Sequence, residues 1–357
     1  MTTHHETTTS HINDQAILDT TPSRRAFLRS VTALGAGLAG MSQVAEAQAP
    51  ATQTGRARIF KMASLGTDIH PATISARAFA EAVTKGTNGA IEVQVFPNAQ
   101  LGGEREIAEG MLLGSVHVSA MTLAVLGNWV PEGLLFELPF LFRDDQHALS
   151  VMTSPLADEM AEKFPPKGFR VLGFELGGIR HPMGKFPIRV PADIKNKKNR
   201  TIQSPMHITL WQTLGAIPTP LPPGEIYSAM QTGVIDFFDN AKSSYWDNKW
   251  FEVAPYLTEL GHVYTFAAFT IADRAWQQLS PDQQKVVRNA AREKTALHNK
   301  LVLEDDINAL KKCMEKGTKV VVPDRKPWQE AMTPVWTQFG EKVGGLPTIQ
   351  KVVNYRP

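Results

Sequence analysis

The feature that most constrains the fold is a strict alternation of short apolar runs with amphipathic ones from residue 59 to residue 120. Residues 59–63 form a short apolar run. From Pro71, the residues Ile74, Ala78, Phe79, Ala82 and Val83 fall on one face of a helix that Gly86 or Gly89 stops. Residues 91–96, Ile-Glu-Val-Gln-Val-Phe, alternate apolar and polar side chains as a half-buried strand does, and Pro97 ends them. Residues 104–113 put Ile107, Ala108, Met111 and Leu112 on one helical face, and residues 116–120 again read as a strand. Strand, helix, strand, helix, strand is the rhythm of an α/β protein with a mainly parallel sheet.

The alternation continues. Residues 170–174, 200–203, 234–238 and 264–271 are strand candidates, and residues 208–214 and 224–231 are helix candidates. From Ser280, which forms a capping box with Gln283, the pattern turns helical as far as Gly317. Its apolar positions include Val286, Val287, Ala290, Leu297, Leu301, Ile307, Leu310 and Met314. At 1.5 Å per residue this helix is roughly 50 Å long, more than one small domain needs.

Residues 1–47 read as an address. Ser23-Arg24-Arg25-Ala26-Phe27-Leu28 precedes a weakly apolar, glycine-rich run, and Ala45-Glu46-Ala47 has the small-x-small form of a cleavage site. The paired arginines mark a twin-arginine signal, which predicts export to the periplasm and cleavage near Ala47. Residues 48–56 are expected to be a flexible start of the mature chain. No later stretch reaches about 18 apolar residues, so the mature protein is not expected to span a membrane.

The 357 residues carry 37 Lys plus Arg against 35 Asp plus Glu, a balance that argues against nucleic acid as a partner. One cysteine, Cys313, excludes an internal disulfide, and its place on an apolar helical face predicts a core residue. No nucleophile elbow, HExxH helix or glycine-rich phosphate loop is present, and the histidines lack metal-ligand spacing. No enzymatic activity, cofactor or metal is therefore expected.

Three side chains stand where strand candidates meet loops, the usual ligand edge of an α/β sheet: Arg180, Arg200 and Asn240. Two guanidinium forks in one cleft would hold a carboxylate, and an amide would add a donor. Spacing alone fits surface ion pairs better, since they are the commoner fate of single arginines.

At these residues the chain resembles a known family. Thr87-Asn88-Gly89-Ala90-Ile91-Glu92-Val93, then Phe96-Pro97-Asn98-Ala99-Gln100-Leu101-Gly102-Gly103-Glu104, then Leu138-Pro139-Phe140-Leu141-Phe142-Arg143 follow its motifs in order. So do Pro191-Ala192-Asp193-Ile194-Lys195 before Arg200, and Glu225-Ile226-Tyr227-Ser228-Ala229-Met230-Gln231-Thr232-Gly233 before Ile235-Asp236. They resemble the DctP-type solute-binding subunits of tripartite ATP-independent periplasmic (TRAP) transporters, over about residues 57–345.

The resemblance implies an α/β, two-lobed periplasmic-binding-protein-like fold with hinge strands and a long helix spanning both lobes. Lobe I would comprise residues 57–175 and 266–305, and lobe II residues 176–265 and 306–357. It implies no catalysis, a small-molecule carboxylate ligand, closure of the lobes around it, and delivery to the TRAP membrane permease subunits. Arg200 would form the main ion pair with the ligand carboxylate, assisted by Arg180 and Asn240. Ser64, Glu104, Thr122, Gln203 and Pro223 match positions that line the cleft. Glu104 also fits a first-turn helix acid, and His70 either a helix cap or a ligand contact.

The segment Asp236-Phe237-Phe238-Asp239-Asn240, with Tyr245 and Trp246 beyond it, departs from the family pattern. Phe237 and these rings would either stack on an aromatic monocarboxylate or belong to the core. Two further roles are compatible with the same residues: the binding component of a sensory system, and a periplasmic enzyme on a similar fold.

Overall fold

The computed structural model describes residues 57–356; the expected signal peptide and residues 48–56 lie outside them. Strands β1 (Arg58–Ala63), β2 (Ile91–Phe96) and β3 (Val118–Thr122) form a parallel group in the order β2-β1-β3. The helices Pro71–Gly86 and Glu104–Leu113 connect them, as the alternating pattern requires.

The sheet then passes through two strands that hold the molecule together. The sixteen-residue β4 (Phe169–Gly184) pairs antiparallel with β9 (Val263–Ala272), which itself pairs antiparallel with β3. Beyond β4 lie β7 (Phe237–Asn240), β5 (Lys198–Thr201) and β6 (Ile217–Pro220), where β5 runs parallel to both neighbours. The short strands β8 (Tyr256–Thr258) and β10 (Lys319–Val321) extend this second half. β4 changes partner within its length: residues 169–180 pair with β9, and His181–Gly184 pair with β7.

The sequence pattern ends the first run at Phe174, but the strand continues through Gly177 and Gly178. The register against β9 slips between Leu176 and Gly178, and Gly178 adopts φ of 100°. Only glycine takes that conformation without strain, so the pair of glycines makes a bulge in the strand and does not terminate it. Arg180 therefore lies within β4 and not at its junction with a loop. Arg200 likewise lies within β5, and Asn240 closes β7.

The long helix spans Pro281–Glu315 and is capped as expected: Ser280 Oγ accepts from the Gln283 amide at 3.2 Å, and Gln283 Oε1 accepts from the Ser280 amide at 3.1 Å. At 1.5 Å per residue it is about 52 Å long. It packs against the helix Pro71–Gly86, β4 and the short helix Lys242–Asp247, and so reaches both halves of the sheet.

Its buried side differs in part from the predicted stripe. Val287, Ala290, Ala291, Lys294, His298, Val302, Ala309 and Cys313 are buried, whereas Ile307 and Met314 are exposed. Ile74 and Ala78 of the helix Pro71–Gly86 also face out. In both helices small and polar residues share the buried face with a few larger ones, Phe79 and Val83 in the first and Val287 and Val302 in the second.

Cys313 is free and buried, in a core cluster with Met183, Phe238, Tyr245 and Trp250. Among the described residues, no helix is long and apolar enough to cross a membrane.

Candidate functional site

Four strands direct their carboxyl ends at one cavity of about 460 Å³. Ser64 follows β1, Thr122 ends β3, Arg200 lies near the end of β5, and Asn240 ends β7; all four line the wall. Two helices begin there too, after His70 and Gly103, which line the wall. Carboxyl ends of strands with helix amino termini beside them form the ligand edge of an α/β sheet and favour an anion.

Arg180 and Arg200 both line the cavity, but their situations differ. Arg180 donates from Nε to Asp239 Oδ2 at 2.5 Å and from Nη2 to the Asp239 main-chain carbonyl. The His262 Nε2 lies 3.3 Å from the same Oδ2. Burial would raise the Asp239 carboxyl, yet Arg180 and His262 hold it well below the usual carboxylate range.

Arg200, 2% exposed, donates from Nε to the Leu221 carbonyl at 2.8 Å. Among the described residues, no carboxylate lies within 4 Å of it and its two terminal nitrogens make no hydrogen bond. Burial and the neighbouring Arg180 push its pKa down to about 9. Its charge thus lacks a close neutralising partner, which a ligand carboxylate would supply through a bidentate contact. Asn240 Oδ1 accepts from the Ala241 amide at 2.9 Å, which leaves its NH₂ to donate.

Glu104 serves both of the roles open to it in the sequence. It starts the helix Glu104–Leu113 and lines the cavity. Its Oε1 accepts from the Thr122 amide at 2.5 Å and its Oε2 from the Thr122 hydroxyl at 3.0 Å. Burial raises its carboxyl, against the two bonds from Thr122 and the attraction of Arg200. The Thr122 hydroxyl in turn caps the next helical turn at the Val125 amide, 3.4 Å away.

His70 also does two things: its Nδ1 accepts from the Ala72 amide at 3.1 Å, capping its helix, and its ring lines the cavity. Ser64 Oγ lies 2.8 Å from Thr73 Oγ1. Pro223 is on the wall as well.

Two expected residues do not reach the cavity. Phe237 is fully buried in the core, edge-on to Trp211 with ring centroids 5.3 Å apart and 6.3 Å from Phe186. Alternation along β7 explains this, since neighbours of the wall residue Asn240 face the packed layers on either side. Gln203 lies just past β5, and its carbonyl accepts from Asn128 Nδ2 at 2.9 Å. The rings that suggested an aromatic ligand also pack elsewhere: Tyr245 is core, and Trp246 stacks on Phe251 at 5.3 Å.

Glu175, Lys294, His298, Thr265 and Trp250 also line the wall and are not among the residues expected from the sequence. The signal for two of them was present. Lys294 and His298 continue the buried helical spacing that begins at Ala290 and Ala291, and a lysine on such a face must have a buried partner. That partner is Glu175.

A cleft at the carboxyl ends of two parallel strand groups, joined by β4, β9 and one long helix, defines a periplasmic-type solute-binding protein. The chain belongs to the DctP family, bacterial extracellular solute-binding protein family 7, whose profile matches residues 62–342. It is 34% identical over 268 residues to a solute-binding protein of Verminephrobacter eiseniae, covering 74% of this chain and 80% of that one. It is 30% identical over 274 residues to the C4-dicarboxylate-binding periplasmic protein DctP of Rhodobacter capsulatus, covering 75% and 82%.

Among solved structures, a TRAP periplasmic solute-binding protein from Polaromonas, bound to D-erythronate, matches with a TM-score of 0.81 and 30% identity. The match covers 84% of this chain and 99% of that one. The two-lobed fold, with hinge strands and a helix spanning both lobes, is thus that of the TRAP solute-binding proteins.

Proposed function

We propose that the protein is a periplasmic receptor that captures an organic acid by ion pairing between Arg200 and the ligand carboxylate. Asn240 donates a further hydrogen bond. Arg180, neutralised and fixed by Asp239, shapes the wall beside the clamp without being the main partner. The observation that carries this reading is the state of Arg200: buried, aimed at the cavity, and with two terminal nitrogens free of protein partners.

Lobe I is assigned to residues 57–175 and 266–305, and lobe II to residues 176–265 and 306–357. Ligand contacts from both lobes favour the closed form, because only closure satisfies both sides of the acid. The closed receptor then docks on the two-subunit TRAP permease and releases the ligand there. Twin-arginine export, with cleavage near Ala47, places the mature protein in the periplasm.

Organic acids are the chemistry that the relatives' names carry: D-erythronate in the Polaromonas structure and a C4-dicarboxylate in the Rhodobacter protein. A thermal-shift screen of organic acids, followed by calorimetric titration, tests the reading. Arg200→Ala is expected to weaken binding at least about 100-fold, because it removes a charge-assisted pair from a buried site. Unchanged affinity would sink the Arg200 assignment.

A further inference from the structure

We infer that the buried Glu175–Lys294 pair at the cavity wall makes the receptor selective for an acid bearing one carboxylate and hydroxyl groups, and rejects a second carboxylate. The inference rests on the Arg200 reading above and adds the specificity of the same site.

The charged side chains on the wall are Arg180, Arg200, Lys294, Glu104 and Glu175. Arg180 is matched by Asp239. Lys294 Nζ donates to Glu175 Oε2, both side chains being fully buried, and Lys294 also lies 4.4 Å from the Phe269 ring centroid. Glu175 Oε1 accepts from the Thr295 hydroxyl at 3.1 Å. Wherever the proton sits between Lys294 and Glu175, the pair sums to zero charge. Burial, together with His298, pushes His70 down to about 4, and burial pushes His298 in the same direction, so neither adds a cation near neutral pH. The wall therefore carries at most one uncompensated positive charge, on Arg200.

A second carboxylate reaching the Glu175–Lys294 pair would find the Lys294 charge already balanced by Glu175, and so would lose its hydration without gaining a counter-charge. A hydroxyl fares better. It donates to the Glu175 carboxylate and accepts from the Lys294 ammonium. The Thr265 hydroxyl, 3% exposed and without a partner, is on the same wall.

The test compares matched pairs differing only in one terminal CH₂OH oxidised to carboxylate: D-erythronate against meso-tartrate, and D-galactonate against galactarate. Calorimetry on the mature protein is expected to show at least one monoacid binding about tenfold or more tighter than its diacid. Equal or tighter binding of the diacids, or no binding of either monoacid, overturns the inference.

Glu175→Gln removes the anion that balances and repels at this end of the cavity and is expected to shift the preference toward the diacid about tenfold. An unshifted preference in a folded variant also overturns the inference. If the variant does not fold, the wild-type ratios still decide. Failure here is distinct from failure of the clamp, which is read from the effect of Arg200→Ala on whichever acid, mono or diacid, the wild type binds.

Discussion

Arg180 and Asp239, on neighbouring strands β4 and β7, are joined by two bonds: Nε to Oδ2 at 2.5 Å and Nη2 to the main-chain carbonyl. Arg180 is also the last residue of β4 to pair with β9 before the strand turns to β7. The ion pair thus sits where the sheet passes from one half to the other, at the wall of the cavity.

Asp239→Ala is expected to destabilise the fold by about 3–5 kcal/mol, because it leaves Arg180 buried without its counter-charge. Urea denaturation measures this, and a loss under about 1 kcal/mol would show that the pair is replaceable by solvent. The Asp239 carboxyl is held below its unfolded value near 4. Its contribution is present in full above about pH 4 and is lost as pH falls toward the folded value.

A second pH effect comes from His70. Burial and His298 hold it at about 4, against about 6.5 in an unfolded chain. Between these values the unfolded state binds the proton and the folded state does not, so stability falls as pH drops from about 6.5 to 4. His70 is half-buried, and solvent screening limits its share to on the order of 1–2 kcal/mol. His70→Asn keeps a capping acceptor but not the titration. Its melting temperature is expected to depend less on pH across this window than that of the wild type, and an identical slope refutes the assignment.

Gly178→Ala is expected to cost about 1–3 kcal/mol. The residue has φ of 100°, and an added Cβ would lie 2.5 Å from Ala241 Cβ. Ala241 follows Asn240, so ligand affinity should fall along with the melting temperature. A variant with wild-type stability would show that the bulge tolerates a side chain.

Burial pushes the Cys313 thiol up to about 12. The native protein is therefore expected to resist a thiol reagent at pH 8 and to react fully in denaturing urea. Fast labelling of the folded protein would mean that the Cys313 cluster opens readily.

Much of the architecture was legible because burial imposes a period. β2 alternates strictly and occupies the predicted residues; the capping box at Ser280 forms as read. β4 runs past the expected Phe174, which the sequence does not show because Gly177 and Gly178 carry no sign of which partner strand lies beside them, and a bulge is decided by that partner. Which of its two possible places Phe237 takes, cavity or core, is open in the sequence for a related reason. Asn240, three residues on in the same strand, does reach the wall, but which face of a four-residue strand meets the cavity depends on the layers packed on it.

The sequence by itself determined that this is an α/β chain with a long capped helix and a buried lone cysteine. Those follow from local rules: periodicity, caps and turn residues act over a few positions. Only the tertiary structure decided what the charges do. Arg180 and Asp239 are 59 positions apart, and Glu175 and Lys294 are 119 apart. Packing brings each pair together and leaves Arg200 without a close carboxylate partner among the described residues. A charge becomes a ligand site when burial removes water and the fold withholds a partner, and neither condition is written at the position of the residue itself.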